Sequence, residues 1–112
     1  MNKTEHLLSC LAEECCEVGQ RVSKALRFTL AEVQPGQPLS NAERISQEMN
    51  DLLAVAGLLV QAGIIPPFDD HARMIAKVRK VAEFAKYSRS LGAIADGCAE
   101  CEATKLRTQA TS

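Results

Sequence analysis

Glu14 and Glu17 form one acidic pair and Glu48 and Asp51 a second, both with i, i+3 spacing. On a helix that spacing puts two side chains at neighbouring points of one face, about 5–6 Å apart at the Cβ atoms. Two negative charges at this distance repel by about 3 kcal/mol at an effective dielectric of about 20, and burial adds a desolvation cost. A hard divalent cation offsets both directly. Magnesium takes a few carboxylate oxygens, keeps several waters and completes its shell with a substrate's phosphates. Glu13, Glu14 and Glu17 alone would read as a solvated helix face. The second pair changes that reading: Glu48 falls within the arc of Leu52, Val55 and Leu59, and Asp51 falls between Val55 and Leu58, so both are expected to face the core. Manganese is an expected substitute for magnesium.

The elements that must position these acids are helices. From about Thr4 to Leu30, apolar residues recur at Leu7, Leu8, Leu11, Cys15, Val18, Val22, Ala25 and Leu26, the three-and-four spacing of an amphipathic helix. Val33–Leu39 holds two prolines around a glycine and reads as a loop. Ser40-Asn41-Ala42-Glu43 has the form of a capping box and predicts a second helix to about Ala62, stopped by Gly63. Asp69 or Asp70 is expected to cap a third helix reaching about Leu91, with Met74, Ile75, Val78, Val81, Ala82 and Ala85 on its apolar face. Ala93–Glu102 has a weaker pattern that predicts at most a short fourth helix, and residues 104–112 form a polar tail after a helical domain spanning 1–103. The expected fold is all-α, an up-and-down bundle of three main helices. The second helix carries Leu52, Leu53, Val55, Leu58, Leu59 and Val60 around most of its circumference, more than three helices can cover, so the bundle is expected to be completed as a homodimer or homotetramer.

Composition narrows the partners. The 14 acidic and 13 basic residues of this 112-residue chain nearly cancel, so no global field favours nucleic acid or an anionic membrane. The N-terminus reaches charge after a very short apolar run and no segment is long enough to span a bilayer, which predicts a cytoplasmic protein. Five cysteines, two of them adjacent at 15 and 16, do not form a disulfide framework. Cys98 and Cys101 lack a second paired spacing, so reduced thiols are expected and not a zinc site. Local basic groups suit an anionic substrate. Lys24 and Arg27 follow the first acidic motif on its helix, while Arg73, Lys77 and Lys80 share a face of the third helix with Phe84 and Tyr87. These cations suit phosphates and the aromatic rings suit a nucleobase; a wet face with snorkelling lysines is the alternative for the third helix. No serine, cysteine or histidine stands in a nucleophilic arrangement.

Glu13-Glu14-Cys15-Cys16-Glu17 followed by Glu48-Met49-Asn50-Asp51 resembles the E-E-x-x-E … E-x-x-D signature of the all-α nucleoside triphosphate pyrophosphatases, the MazG-like group related to dimeric dUTPases and phosphoribosyl-ATP pyrophosphatase. The resemblance extends through Lys24–Phe28 and Asp51-Leu52-Leu53 and runs from about residue 5 to Gly92, with a longer gap between the motifs than compact members have. It implies magnesium bound by Glu14, Glu17, Glu48 and Asp51, and Glu13 orienting the attacking water or reaching a second metal. The implied reaction is hydrolysis between the α and β phosphates, giving nucleoside monophosphate and pyrophosphate. A competing expectation from another class is a noncatalytic helical interaction protein whose acids form salt bridges with Arg21, Arg44 or the basic third helix.

Overall fold

The computed structural model describes residues 1–95. It is all-α, with α1 at Lys3–Phe28, α2 at Asn41–Gln61 and α3 at His71–Ser90. The chain divides into two compact units, Met1–Pro67 and the segment from Phe68 onward. The short helix expected at 93–102 lies, beyond residue 95, outside the described residues, as do Cys98, Cys101 and the polar tail.

In the first unit α1 packs against α2. The pair is antiparallel, because Lys3 and Leu7 share a cavity with Leu58, Gln61 and Ala62, while Lys24 and Phe28 meet Asn41 at the other end. Leu59 is fully buried and Ala25 nearly so. Each helix start is capped through side chains. Asn2 accepts from the Glu5 N–H at 2.8 Å while its own N–H donates to Glu5 Oε2 at 3.0 Å, a capping box that starts the helix one residue before the expected Thr4. At α2 the expected box forms, with both Ser40–Glu43 bonds at 3.2 Å. Gly63, at φ 71°, adopts the left-handed conformation that ends α2.

Helix α1 stops two residues before the expected Leu30, and the reason is local. Thr29 lies at φ 76°, ψ 156°, a region that costs a residue with a Cβ roughly 1–3 kcal/mol. The conformation turns the chain sharply, so that the carbonyls of Leu30 and Glu32 accept from the Ala42 and Asn41 N–H groups, each at 3.0 Å. Two otherwise orphaned donors of the α2 start are thereby satisfied. Pro35 and Gly36 occupy the central positions of a tight turn closed by Gln37 N–H to Gln34 O at 2.9 Å, and Gly36 supplies the positive φ of 83°. The connection is therefore an ordered clasp.

In the second unit Asp70 caps α3 by accepting from the Arg73 N–H at 2.9 Å. Of the apolar residues expected on its face, Met74, Ile75, Val78, Val81 and Ala82 are exposed and Ala85 is half-buried. No helix among the described residues is long and apolar enough to cross a membrane.

Candidate metal centre

Antiparallel packing brings the middle of α1 against the first half of α2, and there Glu14, Glu17 and Glu48 converge. One carboxylate oxygen from each lies within 4.8 Å of the other two, and all three residues are half-buried. Glu14 Oε2 and Glu48 Oε2 are buried without a hydrogen-bond partner, and so is Arg21 Nη1. Buried polar atoms are nearly always paired with protein or with water, so these three are groups whose partners lie outside the protein. The acids share the spot at a cost. Burial pushes the Glu48 carboxyl above the ordinary glutamate range, helped by hydrogen bonding with Glu17 and by the charges of Glu17 and Asp51, and opposed by Arg21.

The donor set suits a hard cation. Three carboxylates from two helices, two of them holding spare buried oxygens, offer oxygen ligands at close range. Asp51 departs from its expected burial: it is exposed, and only three carboxylates lie in the cluster. Three residues advance a helix by about 300°, so Asp51 sits about 60° round from Glu48, which is enough to carry it from the packed seam to its rim. Its charge still acts on Glu48. Glu13 is exposed, rotated from Glu14 toward solvent. No family model, curated protein or solved structure matches the chain. The geometry and the chemistry of the side chains are thus what bear on function.

The basic residues are distributed unevenly. Lys24 is half-buried and lines a pocket of about 140 Å³ with Phe28, Glu32, Gln34 and Asn41. Arg27 is exposed, its guanidinium 5.2 Å from the centre of the Phe28 ring, so it covers an aromatic face. Arg73, Lys77 and Lys80 share one exposed face of α3, and Phe84 and Tyr87 are exposed on that helix. Of the expected salt-bridge partners of the acids, Arg44 Nη1 donates instead to Gln34 Oε1 at 3.1 Å, while Arg21 lies close enough for its charge to act on Glu48, with Nη1 left without a hydrogen-bond partner. The three described cysteines, Cys10, Cys15 and Cys16, are free thiols.

Sequence reasoning placed Arg21 beside the acids only as a salt-bridge partner in the noncatalytic alternative. The signal for its place in this centre was present, since Arg21 follows Glu14 by seven residues and Glu17 by four, on the same face of α1. Sequence reasoning missed Glu32, Gln34 and Asn41, which come together only through the turn at Thr29.

Proposed function

We propose that this chain is a magnesium-dependent nucleoside triphosphate pyrophosphohydrolase that cleaves between the α and β phosphates, and that it works as a homodimer or homotetramer in the cytoplasm. The observation that carries the reading is the meeting of Glu14, Glu17 and Glu48, two of which hold a buried carboxylate oxygen without a partner. The motif resemblance to MazG-like pyrophosphatases supports the same assignment. In this reading Glu14, Glu17 and Glu48 hold the ion and Asp51 adds a fourth carboxylate from the rim. Magnesium, or manganese in its place, would supply charge neutralisation on the phosphate oxygens and a more acidic bound water. Glu13 orients the attacking water, and Lys24 and Arg27 on α1 bind the substrate's phosphates. Self-association is supported by the apolar side chains left exposed on α2, among them Met49, Leu53 and Leu58, and along α3.

The exposed apolar face of α3 also favours the second reading, a noncatalytic interaction protein. That reading expected its acids in salt bridges; the bond of Arg44 to Gln34 counts against it, and the charge of Arg21 acting on Glu48 does not. The test is pyrophosphate release from a panel of nucleoside triphosphates with and without magnesium. Metal-dependent release on at least one nucleotide is expected. Its absence on all of them, from folded protein, would leave the interaction reading.

A further inference from the structure

The pocket lined by Lys24, Phe28, Glu32, Gln34 and Asn41 lies on the same hairpin as the acids, displaced along it. Lys24 follows Glu17 by seven residues on α1, and Asn41 precedes Glu48 by seven on α2, so each lies two turns further along the same helix face. Because the helices are antiparallel, both displacements run in the same direction. At 1.5 Å per residue the offset is about 10 Å, the scale of a ribose and its first phosphates.

The pocket's polar groups are held in defined states. Asn41, 2% exposed, uses its side-chain nitrogen twice, donating to Thr29 O at 2.8 Å and to Glu32 Oε1 at 3.2 Å. Asn41 thereby holds the strained Thr29 and fixes the Glu32 carboxylate, whose other oxygen is left to accept. Gln34 Oε1 is taken by Arg44 at 3.1 Å, which leaves the Gln34 amide nitrogen as a donor. The result is an acceptor-only group beside a donor, next to the Phe28 ring. At about 140 Å³ the pocket is well below the roughly 300 Å³ or more of sites that enclose a whole drug-sized ligand, so it suits one ring.

We propose that this pocket is the base subsite of the acidic centre and that it takes a single six-membered ring presenting an exocyclic amino group beside a ring acceptor, the edge of cytosine and not of uracil. This rests on the pyrophosphohydrolase reading and replaces Phe84 and Tyr87 as the base contact. Glu32 accepts from the amino group, Gln34 donates to the ring acceptor, and Phe28 packs on the ring. A carbonyl in place of the amino group meets the Glu32 carboxylate with no hydrogen to share, leaving two acceptors opposed. Purines with the same edge are disfavoured by size.

The test is binding of cytidine and uridine 5′-monophosphates to the full chain, followed by NMR or calorimetry, for wild type, Glu32→Gln and Gln34→Ala. Wild type is expected to prefer the cytidine nucleotide by about tenfold or more, the effect of one unpaired hydrogen-bonding group in a pocket. Glu32→Gln, which can present an N–H to a carbonyl, is expected to lose or reverse the preference, and Gln34→Ala to weaken cytidine binding if Glu32→Gln fails to fold. Equal affinities in wild type, no cytidine binding, or an unaltered preference in a folded Glu32→Gln would overturn the assignment. Selective monophosphate binding without magnesium-dependent pyrophosphate release from cytidine triphosphate would instead retain the pocket and reject the hydrolase reading.

Discussion

The hairpin of α1 and α2 and the helix α3 put their apolar residues to opposite ends. The hairpin buries Leu59, Ala25 and a polar residue, Asn41, and spends part of its packed seam on carboxylates that repel one another. Helix α3 fully buries no residue, and its apolar side chains are less sharply segregated to one face than those of α1 and α2. Local charge conflict is tolerated where packing over-determines the backbone, and that is where chemistry is concentrated. Surface that stays apolar and exposed is instead where association is expected.

The largest separation between the two regions is expected in activity. Glu48→Gln should reduce pyrophosphate release by at least about a hundredfold with helical content unchanged, because it removes a ligand charge that offsets the ion's dehydration. Asp51→Asn should do the same if the rim carboxylate reaches the ion, and full activity in Asp51→Asn would leave three ligands only. Steady-state release by each variant, with circular dichroism as a folding control, reads the difference.

A second effect belongs to α3. Val78 is 70% exposed and central in the helix, so Val78→Lys should disrupt self-association while leaving the hairpin folded. Sedimentation velocity at micromolar concentration is the readout; a wild-type monomer would remove the association role from α3.

A third contrast lies within the hairpin's clasp. Asn41→Ala removes the bonds to Thr29 and Glu32 and should cost about 2 kcal/mol, since Thr29 O loses its donor. Thr29→Gly should stabilise by about 1 kcal/mol, because φ 76°, ψ 156° is strained only for a residue with a Cβ. Urea unfolding measures both. Equal signs for the two substitutions would mean that the turn is not under the strain assigned to it.

The smallest effect is on pH dependence. The folded state raises the Glu48 pKa above the usual 4.5, so it binds the proton more tightly than the unfolded chain. Its stabilising contribution is complete below that value and is lost as pH rises through the raised pKa. Without metal the melting temperature should therefore decline over this window, more in wild type than in Glu48→Gln, and magnesium should restore it at neutral pH. Identical pH profiles for the two proteins would contradict the assignment.

The helices were legible because their signals are local. The apolar period, the Ser40 box and Gly63 each act within a few residues, and α1 and α2 form within about two residues of the expected ends. Glu14, Glu17 and Glu48 were legible for the same reason, as an i, i+3 pair and a polar residue in an apolar arc. Asp51 was misjudged in burial because angle on a helical wheel does not say where a neighbouring helix ends. The pocket was not legible at all. It depends on Thr29 adopting a conformation that no sequence rule gives to threonine, and on Asn41 joining residues nine and twelve positions away.

The most direct test of the account is manganese binding followed by loss of the free ion's electron paramagnetic resonance signal, in wild type and Glu48→Gln. Wild type should show a saturable site that magnesium competes away, and Glu48→Gln should lose it. Equal binding by both proteins, or none by the folded wild type, would contradict the claim that these carboxylates form a metal centre.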